Sequence, residues 1–198
     1  MNYQNYQQAR DAAWRILIDC QVRELPVSVN AICKHLGIRV YSYQDAEQAI
    51  KNGNLAEIAN RTDGLSFYNR DAPVILFNQT LLPARNRFTI AHEIGHIVLG
   101  HVKPGQATLR NREPAPDDDS AETAANQFAA RLLAPACVLW GLDLHTPEGI
   151  SEACEISLTA ARFRAERMEI LYQRGKFLAS PLERQLYEQF SDFINRQR

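Results

Sequence analysis

Residues 84–99 place Phe88, Ala91, Ile94, Ile97 and Val98 at the spacing of a buried helical face, and they also carry His92, Glu93 and His96. No other stretch of the chain restricts the fold as much. Histidines four residues apart stand one turn apart on the same side of a helix, so both imidazoles can reach one metal ion. Glu93 lies about 100° round the helix from His92, beside such an ion and not on it, which places its carboxylate as a general base. The apolar positions on the opposite side supply the buried context in which such a pair is held rigidly. Pro83 suits the first turn of this helix and Gly100 its stop.

Two histidines do not complete a catalytic centre, because zinc there takes three protein ligands and keeps a fourth position for water or substrate. Candidates for the third ligand are His101, Glu113, one of Asp117, Asp118 and Asp119, and Glu122. His101 follows Gly100 and falls about 180° from His92 on an ideal helix, so it is expected to face solvent. The aspartates end the stretch 101–120, whose prolines and lack of period predict a long surface loop. Glu122 is better placed. It stands in the first turn of a second core helix over 121–133, where Ala125, Phe128, Ala129, Leu132 and Leu133 share one side and Pro135 closes the run. Asn126, one turn further on, could orient a metal ligand by hydrogen bonding. Tyr68, Arg87 and His101 are candidates for one more donor to a developing oxyanion, and no spacing rule favours any of them.

Around these two helices the chain reads as scaffold. Residues 7–22 form an amphipathic helix with Ala9, Ala13, Ile16, Leu17 and Cys20 inward, and Ser28 can cap a short helix through Leu36 that Gly37 ends. Strands are expected at 38–43, 64–68 and 74–77, the last two as a hairpin with a longer loop over 69–73. The segment 45–60 looks helical with a break at Asn52-Gly53. Thr146-Pro147 opens a further helix, Ser157 caps another towards Tyr172, and Ser180-Pro181-Leu182-Glu183 is a capping box before an apolar stripe of Leu182, Leu186, Phe190 and Phe193. The expected class is α+β: mainly helical, with a small antiparallel sheet of about three strands. Residues 1–145 would form the core, and 146–198 a helical C-terminal extension packed on it.

A chain of 198 residues with 45% hydrophobic and 23% charged residues is ordinary for a globular domain and excludes disordered or fibrous classes. Its net charge of −1 gives no overall attraction to nucleic acid, and no run of apolar residues is long enough to span a bilayer. With no export signal in the polar first ten residues, a cytoplasmic protein is expected. Cys20, Cys33, Cys137 and Cys154 are widely separated, which favours reduced, buried thiols over a disulfide framework.

The run Arg87-Phe88-Thr89-Ile90-Ala91-His92-Glu93-Ile94-Gly95-His96 resembles the active-site helix of the ImmA/IrrE family of metallopeptidases. Glu122-Thr123-Ala124-Ala125-Asn126-Gln127-Phe128-Ala129-Ala130-Arg131-Leu132-Leu133-Ala134-Pro135 resembles that family's later helix, although Ala134 stands where methionine is common. The resemblance runs from about residue 25 to 168. It implies a zincin-like fold and Glu122 as third ligand to one zinc ion, with manganese as the alternative metal. It also implies a protein substrate, a DNA-binding transcriptional repressor or similar regulator, in transcription regulation and stress response. The competing expectation is a non-enzymatic regulatory module in which the helices at 146–154 and 158–172 act as a helix-turn-helix, with Arg162, Arg164 and Arg167 as its cations. Glu166 and Glu169 interleave with those arginines, so direct nucleic-acid binding is not favoured.

Overall fold

The computed structural model describes residues 3–52, 62–104 and 118–198. In chain order the elements are α1 (Tyr3–Asp19), α2 (Val29–His35), β1 (Arg39–Ser42), α3 (Glu47–Asn52), β2 (Gly64–Asn69), β3 (Ala72–Phe77), α4 (Pro83–Val98), α5 (Asp118–Leu133), α6 (Ala136–Gly141), α7 (Pro147–Cys154), α8 (Leu158–Gln173), α9 (Pro181–Gln189) and α10 (Ser191–Gln197). Among the described residues the protein is mainly helical with one three-stranded sheet. It divides into two compact units. One is Val29–Asn126; the other joins both ends of the chain, Met1–Ser28 with Gln127–Arg198.

In the unit Val29–Asn126 the strand order is β1-β3-β2, with β2 antiparallel and β1 parallel to β3. The sheet is therefore mixed, not antiparallel as expected. β2 lies between β1 and β3 in sequence and runs opposite to both, so it carries the chain back before β3 pairs parallel with β1. The hairpin is also tighter than expected: Asn69 pairs with Ala72, which leaves Arg70 and Asp71 as a two-residue turn with Arg70 at φ 57°. Pro73 had suggested a loop, yet it sits opposite Tyr68 inside the ladder. By antiparallel alternation, the position next to the pair that closes the turn exchanges no backbone hydrogen bonds across it, and pairing with β1 starts only at Val74.

Ile50, Leu65, Val74 and Leu76 bury one sheet face, with Tyr43, Ala46 and Phe67 partly covered beside them. The alternate positions Gly64 and Ser66 turn to α4. A Cβ on Gly64 would lie 2.4 Å from the Thr89 methyl and 3.1 Å from the Leu76 carbonyl oxygen, so only glycine allows β2 this close to that helix. Helix α4 has Pro83 in its first turn and is buried on most sides at mid-length, at Thr89, Ile90, Ala91, Glu93, Ile94, Gly95 and His96. Gly100 at φ +74° folds the chain back, and the His101 amide then donates to the His96 carbonyl at 2.9 Å.

In the other unit α1 packs on α9, and Gln189 Nε2 donates to the Leu17 and Val22 carbonyls at 2.9 and 2.7 Å. Thr146, Ser157 and Ser180 accept from the amides of Gly149, Ala160 and Glu183, so the three expected caps are formed. Ala9, Ala13, Ile16 and Leu17 are buried as the period indicated, as are Ala129, Leu132 and Leu133. Helices α7 and α8 do pack together, but Arg164 is only 5% exposed and so is not a cation on a solvent-facing recognition surface. No disulfide joins the four cysteines; Cys33, Cys137 and Cys154 are buried, and burial pushes the Cys137 thiol up to about 12. No helix among the described residues is long and apolar enough to cross a membrane.

Candidate metal centre

Helix α4 supplies His92 and His96 one turn apart, with their Nε2 atoms 2.9 Å from each other. The first half of α5 brings Glu122 across them, its two carboxylate oxygens 3.1 Å from His92 Nε2 and 3.3 Å from His96 Nε2. One ligand atom from each of the three residues lies within 4.8 Å of the others, a constellation able to hold a metal ion. Each imidazole is also held by its other nitrogen. His92 Nδ1 donates to Asn126 Oδ1 at 2.9 Å, and His96 Nδ1 contacts His101 Nδ1 at 3.1 Å. With Nδ1 engaged, Nε2 is the nitrogen left for the metal in both rings. Two imidazoles and a carboxylate form a donor set that suits zinc and also accommodates manganese.

His101 is thus placed differently from the expectation. Extrapolating an ideal helix pointed it to solvent, whereas the left-handed turn at Gly100 ends the helix and returns the His101 ring to His96, centroids 5.0 Å apart. Of the other candidate ligands, Glu113 and Asp117 lie outside the described residues. Asp118, expected in the loop, opens α5.

Glu93 is 4% exposed, and its Oε2 accepts from Ser66 Oγ at 2.6 Å. That serine was not anticipated; the signal was a hydroxyl inside the apolar run Leu65-Ser66-Phe67, at a position whose strand face is buried. A cavity of about 430 Å³ opens beside the centre, lined by Thr62, Asp63 and Gly64 at the entry to β2, and by His92, Glu93 and Glu122 among others. Arg85 on α4 pairs with Asp63 at 2.6 Å at its rim. Among the described residues, Tyr68, Arg87 and His101 do not line this cavity.

The electrostatics follow from the packing. Hydrogen bonds from His92 and then His96 hold the Glu122 carboxyl well below the usual carboxylate range, against the opposing effect of burial. Burial alone would lower His92, but its hydrogen bond to Glu122 and the charge of Glu93 outweigh that and raise it above 6.5.

The family model described as the IrrE N-terminal-like domain matches residues 33–170, most of the chain. The chain belongs to the ImmA/IrrE family of metallopeptidases. No curated protein matches it. Family membership shows a metallopeptidase, and the triad His92, His96 and Glu122 is its candidate metal site, in the unit Val29–Asn126.

Proposed function

We propose that this metallopeptidase is a zinc-dependent, site-specific endopeptidase acting in the cytoplasm on a DNA-binding transcriptional repressor or a similar regulator. The observation that carries the catalytic part is Glu93, buried beside the triad and outside it, with one oxygen anchored by Ser66. His92, His96 and Glu122 would hold the zinc ion, which would supply Lewis acidity for the scissile carbonyl and the attacking water. Glu93 is the proton carrier: with Oε2 fixed by Ser66, Oε1 takes a proton from water as oxygen attacks the carbonyl carbon, and returns it to the amide nitrogen as the C–N bond breaks. Ser66 orients the carboxylate, and Asn126 and His101 orient the two imidazoles.

An extended peptide is the substrate form this site suits. β3 is the central strand, which leaves β1 and β2 as edges among the described residues, and of these β2 begins at the cavity rim and is the edge offered to a peptide. The test is incubation of the zinc-loaded protein with a repressor encoded beside its gene, followed by mass spectrometry. One new terminus, absent with Glu93→Gln, is expected; an intact repressor beside an active control peptide digest would refute the substrate assignment and leave the chemistry standing.

A further inference from the structure

The unit made of both chain ends holds a second cavity, of about 310 Å³, with no part in the metal site. Its lining includes Arg10, Arg131, Arg164, Arg167, Arg174 and Lys176 against a single carboxylate, Glu183. That carboxylate is engaged at the start of α9, where its Oε2 accepts from the Ala179 amide at 3.0 Å. Arg10 is paired with Asp11 at 2.7 Å. The guanidiniums deeper in the cavity have no acidic partner among the described residues.

The buried donors there are unsatisfied. Arg164 is 5% exposed, and neither its Nε nor its Nη2 meets an acceptor; the same holds for Arg131 Nε, Arg167 Nε and the Trp14 indole nitrogen, all buried and all in residues that line this cavity. Arg131 does reach two oxygens, the Tyr6 hydroxyl at 3.0 Å and the Gln127 carbonyl at 3.4 Å. Both Arg131 and Arg167 stand over the Tyr6 ring, 4.8 and 5.1 Å from its centroid. Burial, and then the charge of Arg131, lowers Arg164 to about 9, so it stays a cation at neutral pH. A buried cation with open N–H groups is destabilising unless an anion with several acceptor oxygens meets it. Every orphan at this place is a donor. A multivalent anion answers both the charge and the donor count, and phosphoryl oxygens do so better than one carboxylate. A concave site of this size takes a small molecule and excludes a duplex.

We infer that the cavity around Arg131, Arg164 and Arg167 is a binding site for a small phosphorylated anion. The test uses the full chain with inorganic phosphate, pyrophosphate and AMP as probes, by calorimetry and thermal unfolding, against sodium chloride at matched ionic strength. Saturable binding of at least one probe is expected, with AMP above pyrophosphate indicating a nucleotide-type ligand and the reverse a free phosphate. Arg164→Met should unfold at or above the wild-type temperature, because a buried unpaired charge is replaced by an apolar chain, and should lose the anion-dependent shift. Should Arg164→Met not fold, half-buried Arg167→Gln serves instead, with an expected loss of about tenfold in affinity. No saturable binding, an equal shift in sodium chloride, undiminished binding by the variant that folds, or preference for a single-stranded oligonucleotide over all three probes would overturn the inference.

Discussion

At the scale of single residues, the centre is organised by what holds each ligand as much as by the ligands. The His92-Glu93-His96 spacing on a helix was legible because helical geometry alone determines which side chains share a face. His101 was not, since its place depends on one left-handed residue at Gly100, which converts a continuing helix into a reversal. Replacing Asn126 with Ala or His101 with Leu should lower zinc affinity about 10- to 100-fold while the fold persists, measured by chelator competition and circular dichroism. Glu93→Gln should keep zinc and lose at least about 10²-fold in peptide cleavage, as expected for loss of a general base. The metal must also displace a proton from His92, whose pKa lies above 6.5, so affinity should rise with pH through that region and level off once the ring is neutral. A flat profile from pH ~6 to ~8 would show that His92 carries no proton to displace.

At the scale of elements, the helices announced themselves and the sheet's connectivity did not. Caps at Thr146, Ser157 and Ser180 are local interactions, readable from a few residues. The parallel pairing of β1 with β3 is a long-range contact, invisible to any window of sequence. Because β3 is central and Leu76 is buried, Leu76→Pro would break the ladder outright instead of testing peptide pairing. The informative change is Gly64→Ala. Its methyl would be driven into the Thr89 side chain and towards the Leu76 carbonyl, displacing β2 and Ser66 from α4. A stability loss of about 1–3 kcal/mol in urea unfolding is expected, with a larger fall in kcat than in zinc content.

For the whole molecule, the division of labour is between a unit that carries the metal centre and one built from both termini. Joining the ends was not foreseeable from composition or period, since α1 and α9 meet only through the fold. Glu122 needed more than spacing too: a first-turn carboxylate is common in helices, and only its position opposite His92 and His96 distinguishes it. Removing the metal should therefore loosen chiefly the unit Val29–Asn126, seen as faster amide exchange in α4 and at the start of α5, with α8 and α9 little changed. The most direct test of the centre itself is zinc stoichiometry and X-ray absorption on wild type and Glu122→Ala. A bound ion with two imidazoles and one carboxylate in the wild type, and loss of tight zinc in the variant, is the expected result. Full zinc occupancy in Glu122→Ala with an unchanged coordination shell would contradict the assignment of Glu122 as the third ligand.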